Sequence, residues 1–431
     1  MKNTAILELN DSGLCCATGP DDLMVIPGYA LLTDSGITTG RAAQEQAYLD
    51  PRQSFNQYWH QLNLSPLPVS SRVARHHADL AYAQLLQLHR DLGHPEQVIF
   101  AAPGSFDREQ LAILLGLAKA SPFEAVGLVD AAVAAASQAG LTVPALHLDI
   151  QLHQTVVTRL RYSDGEVERA TVDILPELGF KTFYDLWAQL IADQFIRQYR
   201  FDPLHTAAGE QQLYNNLPEW LAQLCRETEV AVALDSAQGN YRISLSRNQL
   251  LASSAPRSKQ LQQRLTELSA AGEILLASHR IALLPGLVEH LKPSRVLSAS
   301  SAIDGCLQHL ERISARGDLP FVTRLPTRGD MSSGSAPATA TPDAPPVRQP
   351  THLLYRHRAH AIGDGLTVAE TSGGLTFNDN GDLLCELIPT DGQLQLESAN
   401  PRVRCSGDRG KLTAGDRILI GDEQLELIEV A

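Results

Sequence analysis

The feature that most constrains the fold is a single stretch, Arg328 to Pro350, reading RGDMSSGSAPATATPDAPPVRQP. Between Ser332 and Pro346 it holds no Leu, Ile, Val or aromatic residue. Such a stretch cannot bury enough apolar surface to offset its ordering entropy, so it reads as a flexible linker. The 431 residues therefore divide into a body (1–327), a linker (328–350) and a tail (351–431). With 44% hydrophobic residues there is enough apolar material for sizeable cores. The formal net charge of −14 argues against a nucleic-acid or anionic-membrane binder. No apolar run approaches the roughly 18 residues of a membrane span. The first residues lack the basic-then-apolar order of a signal peptide, because Glu8, Asp11, Asp21 and Asp22 interrupt them. The six cysteines show no CxxC spacing and read as reduced thiols of a cytoplasmic protein.

The body alternates strand and helix patterns. Thr4–Leu9 and Gly13–Thr18 read as paired strands around the polar turn NDSG. Arg72–Leu92 reads as an amphipathic helix ending at Gly93. QVIFAA (97–102) reads as a buried strand, Asp107–Ala120 as a helix, Val126–Val129 as a strand, and Ala131–Ala139 as an alanine-rich helix suited to close packing. Strands are predicted at Leu146–Ile150, Thr155–Arg161 and Glu166–Leu175, then a helix at Phe183–Tyr199 and a hairpin from Glu229–Leu234 and Asn240–Leu245. Two more helices, a strand at Glu273–Leu276, and helices at Pro285–Leu291 and Ser301–Arg312 complete the body. The order is that of two related α/β halves. The tail differs. Runs such as LLCELI, QLQLE, RILIG and QLELIEV, separated by Gly, Asn and Asp turns, predict a small all-β sandwich.

Several stretches of the body, taken in order, resemble the nucleotide-binding domain of DnaK-type heat-shock chaperones, within the actin/heat-shock-chaperone/sugar-kinase superfamily. These are ITTGRAAQEQAYLDPRQSFNQYWHQL from Ile37, the segment Val98–Gly140, LHLDIQLHQTVVTRL from Leu146, EILLASHRIALLPGLVEHL from Glu273, and SASSAIDGCLQHL from Ser298. The resemblance implies a two-lobed actin-like ATPase fold of duplicated ribonuclease-H-like halves, with ATP or ADP and Mg²⁺ in the cleft. In that family, two tight hairpins bring backbone N–H groups onto the phosphates, and carboxylates hold the hydrated metal. Here the first phosphate hairpin reads ELNDSG, with Glu8 at the usual Asp, Asn10 at a Gly, and Asp11 and Ser12 at the hydroxyl pair. The family's lysine, expected near Tyr58–His60, is missing. The second hairpin keeps Asp149 but replaces its glycines with Gln151, Leu152 and His153, and the adenosine glycines become Ala277, Ser278 and His279.

These departures point to a degenerate ATPase site and to no cofactor. Were the site active, Glu8, Asp130 and Asp149 would be the catalytic set, with Glu8 and Asp149 holding Mg²⁺. Asp11, Ser12, Asp149, Gln151, Ser278 and Arg280 would contact the nucleotide. His147 and His153 flank Asp149 at strand spacing and read as one face. His76, His77, His89 and His94 read as a solvated helix face.

The tail segment Gln393–Val430 resembles a forkhead-associated (FHA) domain, whose known function is phosphothreonine reading. Asp364 stands where that family carries its arginine, which removes the charge-assisted donor and argues against phosphopeptide binding. Arg402, Arg404 and Arg409 form a basic loop, and Arg402 and Arg404 are the candidate partner-binding residues. The resulting expectation is a non-catalytic pseudo-ATPase adaptor with protein partners at both ends. The alternatives are an ATP-binding, chaperone-like or actin-like nucleotide switch with weak hydrolysis, and a filament or membrane-apparatus component suggested by LLPGL (283–287).

Overall fold

The computed structural model describes residues 4–327 and 350–428. Gaps fall at 20–21, 70, 237–238, 316 and 318, and in the tail at 356–357, 364, 372–373, 379–380, 391–392, 399, 406–411, 413–415 and 422. The predicted linker up to residue 349, the position of Asp364, and Arg409 lie outside the described residues. The chain is mixed α/β and separates into two compact units, Met1–Ser333 and Gly334–Ala431.

Two six-stranded sheets organise the first unit. In the first sheet, Thr4–Glu8, Leu14–Ala17 and Met24–Ile26 form an antiparallel meander, and Gln97–Ala102 and Glu124–Asp130 add in parallel on the other side of Thr4–Glu8. In the second, Ala145–Ile150, Gln154–Ser163 and Glu166–Pro176 form the meander, and Ile274–Ala277 and Arg295–Val296 add in parallel. Numbered by appearance, both sheets run 3-2-1-4-5, with the same strand directions. The sixth strand of each comes from one short segment: Phe321–Val322 pairs with the first sheet and Arg324–Pro326 with the second.

Alternation along the central strands divides the core. Ala5, Leu7, Val98 and Phe100 point into one apolar cluster with the helix His77–Asp91, while Ile6, Ile99 and Ala101 point into another. That second cluster also receives Ala145, Leu160, Val167 and Leu276 of the other sheet, so it is the core the two sheets share. Running through it are two helices, Ala131–Ser137 and Ser301–Gln308. They approach until the Gly305 Cα touches the Ala134 backbone, leaving no room for a Cβ at 305. The alanine run supplies the close packing its composition predicts.

Several elements differ from the sequence expectation. The Arg72 helix begins only at His77, because Asp79 Oδ2 accepts from the N–H groups of Arg75 and His76 and so caps the chain there. One helix, Arg247–Leu268, replaces the two expected after the hairpin and runs straight through Pro256. Pro256 and Ala252, whose carbonyl loses its helical partner, both lie on the exposed side of the helix. The helix Ala207–Leu224, which likewise contains a proline (Pro218), has no counterpart in the predicted elements. The last predicted helix breaks at His309 into Ser301–Gln308 and Leu310–Ile313.

In the second unit, a five-stranded and a four-stranded antiparallel sheet share one apolar core that includes Leu353, Val368, Leu387, Ile418 and Leu427. No helix among the described residues is long and apolar enough to cross a membrane. All six cysteines are free thiols.

Candidate functional site

The two equivalent turns, Leu9–Gly13 after the first strand of one sheet and Gln151–Gln154 after the first strand of the other, face each other. A short 3-10 helix, His279–Leu283, follows the strand Ile274–Ala277 and delivers Arg280 between them. Arg280 is 3% exposed. Its Nη1 donates to Glu8 Oε1 at 2.8 Å and to Asp149 Oδ1 at 3.3 Å, and its Nη2 donates to the Gly13 carbonyl at 3.2 Å. Burial pulls the guanidinium down, but the carboxylates of Glu8 and Asp149 outweigh it and hold Arg280 above its ordinary range, fully charged. Burial raises the Glu8 carboxyl, and the Arg280 charge opposes that rise.

The turns also bond directly. Asn10 Nδ2 donates to Asp149 Oδ2 at 2.9 Å, while Asn10 Oδ1 accepts from the backbone N–H and hydroxyl of Ser12. Asp11 reaches across so that its Oδ1 accepts the Leu152 N–H at 2.6 Å. Its Oδ2 is buried without a partner, and burial pushes this carboxyl up to about 7 against the opposing Leu152 bond. Three further donors near the second turn bond within it: Gln151 N–H bonds the Gln154 carbonyl, and the Phe180 and Lys181 N–H groups of the helix Phe180–Tyr199 bond the Gln151 and Leu152 carbonyls. Gly179 allows this, because a Cβ there would collide with Leu152 O and Gln154 N.

Of the residues singled out from sequence, Glu8, Asp11, Asp149, Gln151, Ser278 and Arg280 are drawn together, and Ser12 completes the first turn. Gln151 Oε1 accepts from Gln154 Nε2, and its own Nε2 has no partner. Ser278 Oγ and both ring nitrogens of His147 are buried without protein partners, and burial lowers His147 so that it stays neutral. His147 and Ser278 line a cavity of about 30 Å³ bounded also by Glu8, Asp149 and Arg280. That is above the roughly 10–15 Å³ a water molecule requires, and the unpartnered Ser278 Oγ and His147 nitrogens supply polar groups for one.

Asp130 stands apart from the Arg280 ion pairs. Its Oδ1 caps the Ala131–Ser137 helix through Ala132 and Val133 N–H, and its Oδ2 pairs with Arg169 at 3.0 Å. His153 does not share a face with His147 and Asp149, because the strand ends at Ile150 and the turn redirects it to the Asn56 carbonyl and the His60 ring. Among the described residues, no group of three or more His, Cys, Asp or Glu side chains is arranged to hold a metal. In the second unit, Arg402 makes a two-pronged ion pair with Glu370, at 2.9 and 3.4 Å, and Arg404 is exposed on the strand Val403–Cys405.

Sequence reasoning missed Asn10 as the tie to Asp149. It also missed a second cavity on which Arg280 borders, walled by Tyr29, Tyr48, Phe180, Tyr184 and Tyr214. These rings come from segments far apart in the chain, with no spacing to join them. A scan against protein-family models and a search of curated proteins found no match to this chain.

Proposed function

We propose that residues 1–327 are a catalytically silent relative of the DnaK-type nucleotide-binding domain, and that the protein is an adaptor binding one protein partner through this body and another through an FHA-like tail. Supporting the fold half of this reading are the shared 3-2-1-4-5 strand order of the two sheets and the tight helix crossing at Gly305. Two antiparallel sheets around one core support the tail assignment.

The observation that carries the functional half is Arg280. A phosphate needs uncommitted backbone donors, and Mg²⁺ needs carboxylates that are not already neutralised. Here Glu8 and Asp149 pair with a guanidinium of the same chain, and the Leu152 N–H points at the Asp11 carboxylate. An internal cation and an internal carboxyl group take the places that metal and phosphate would need, so these residues do not fit a Mg-nucleotide, and no hydrolytic step is assigned to them. With the gap between the two turns bridged by its own side chains, we assign partner binding to the surfaces of the two units.

The test is a calorimetric titration of the full chain with Mg-ATP and Mg-ADP, paired with thermal unfolding. A ligand at 100 times its dissociation constant adds about 2.7 kcal/mol to the folded state, so binding would shift the midpoint by several degrees. No heat and no shift are expected. Saturable, Mg-dependent binding lost in Asp149→Ala would overturn the reading in favour of a nucleotide switch.

A further inference from the structure

The hairpin of Glu229–Ser236 and Gly239–Ser246 is a two-stranded sheet. One face is buried: Val230, Val232, Leu234, Ile243 and Leu245 enter the core. On the other face of the first strand stand Glu229, Ala231, Ala233 and Asp235, exposed or half-buried. In an antiparallel pair, alternate residues exchange bonds with the partner strand, and those between point their N–H and C=O groups away. Three contacts from outside the pair show which set points away here. The Asp235 N–H donates to Gln212 Oε1 at 3.2 Å, the Tyr199 hydroxyl donates to the Arg242 carbonyl at 2.6 Å, and the Ser246 N–H donates to Gln249 Oε1 at 3.2 Å. The last two occupy the outer edge of Gly239–Ser246. On the opposite edge, the outward N–H and C=O groups of Glu229, Ala231 and Ala233 meet no partner among the described residues.

An open edge is a template for another strand, and proteins ordinarily blunt it with proline, a bulge, a covering helix or brevity. The two six-stranded sheets use brevity. Their outermost strands are Met24–Ile26, Phe321–Val322, Arg295–Val296 and Arg324–Pro326, of two or three residues each. Glu229–Ser236 has eight residues, no proline and an unbroken register. The two alanines at its middle leave the backbone uncovered.

Charge selects the occupant. Glu229 and Asp235 flank the alanines on one face, and among the described residues neither has a cationic partner: Glu229 accepts from Ser244, and Asp235 from Asn240 and Gln212. A second copy pairing edge to edge would set Glu229 opposite Asp235 and Ala231 opposite Ala233. Like charges would then meet at both ends, which is destabilising, whereas a basic strand would meet opposite charges. Past Asp235 the edge opens on a groove of about 830 Å³, lined by Arg200, Phe201, Asp202, His205 and Gln212, with room for the residues that follow the strand.

We propose that the Glu229–Asp235 edge is a docking site for an extended segment of a protein partner. The segment adds to the hairpin as a third strand, through main-chain bonds, and places a lysine or arginine opposite each of the two carboxylates. This rests on the adaptor reading and gives it the partner surface of the body.

The probe is the capped peptide Lys-Val-Thr-Val-Thr-Val-Lys, titrated into the full chain by calorimetry, with amide hydrogen exchange measured on the free and bound protein. Saturable binding is expected, with new protection at the Ala231 and Ala233 amides. Ala231→Pro removes an outward N–H and no bond within the hairpin, so the fold is kept while binding weakens about tenfold or more. A peptide N-methylated at its valines and threonines cannot donate to the edge, and tests the same bonds without altering the protein. Glu229→Lys should weaken the lysine peptide and favour its Glu-Val-Thr-Val-Thr-Val-Glu counterpart. No saturable binding, equal binding by the N-methylated peptide, or equal binding by the acidic peptide to the unaltered chain would each overturn the proposal. So would sedimentation showing a dimer of the full chain that Ala231→Pro dissociates, which would give the edge to a second copy. The Mg-ATP titration reports on the adaptor reading separately: a chain that binds neither Mg-ATP nor the peptide loses this docking site and keeps that reading.

Discussion

The two sheets of the body share strand order and direction, yet their first turns do opposite things. The Leu9–Gly13 turn exports its polarity: Asn10 and Asp11 leave their own sheet to reach Asp149 and Leu152. The Gln151–Gln154 turn closes on itself, backbone to backbone and Gln154 to Gln151. One skeleton used twice thus yields a giver and a receiver, and the difference rests on four or five side chains at the strand ends. A backbone arrangement can persist while the chemistry at its turns is rewritten, which is why function has to be argued from the site.

The sharpest way to break this complementarity is to remove the group that serves both turns. Arg280→Met leaves the buried Glu8 and the partly buried Asp149 against an uncharged side chain. Losing one partner of a buried pair costs about 3–5 kcal/mol, and urea denaturation should show a loss of that size. Adding Glu8→Gln should restore part of it, because the two sites share one network.

Asp11 provides the pH-dependent version. Its folded value of about 7 lies above the ordinary 3.8, so the folded state holds a proton that the unfolded chain releases. Its contribution is fully present below 3.8 and is lost as pH rises through about 7. Over that window the change is on the order of 4 kcal/mol. Stability curves of wild type and Asp11→Asn, measured from pH 4 to 8, should therefore diverge in the variant's favour as pH rises. Parallel curves would show that the Asp11 carboxyl titrates normally.

A smaller effect tests the shared core rather than the turns. Gly305→Ala forces a methyl group into the Ala134 backbone, and overpacking of this kind costs about 1–3 kcal/mol. Its thermal midpoint should fall by several degrees. The smallest effect is expected in the tail, where Arg402→Ala removes an exposed pair with Glu370. Exposed pairs contribute about 0–1 kcal/mol, so a change in partner capture without a change in melting would separate a binding role from a structural one.

Much of this fold was legible in the sequence because its strands are buried and bounded by strong turn signals. Gln97–Ala102 was read to the residue, and the second meander, the first hairpin and the alanine helix to within a few, while the strand Met24–Ile26 was not foreseen. Where two helices were expected after the hairpin, the structure has one, Arg247–Leu268, which continues through Pro256. The convergence of Glu8, Asp11, Asp149, Ser278 and Arg280 was visible only through the family resemblance. That Arg280 would pair with both carboxylates followed from no local pattern, since the ion pair spans 272 positions between residues 8 and 280. The tyrosine-walled cavity was invisible for the same reason: its rings come from separate elements, and only tertiary packing brings them together.

The short segment at 321–326 has a consequence for how the body comes apart. Phe321–Val322 is laddered to one sheet and Arg324–Pro326 to the other, with Thr323 alone between them, its carbonyl accepting from Arg169. A strand advances about 3.3 Å per residue, so the two sheets have almost no slack at this seam. They cannot swing apart there without unzipping one of the ladders. Opening and melting are thereby fused into one cooperative event, and amide protons in the two sheets should exchange together rather than as two separate populations.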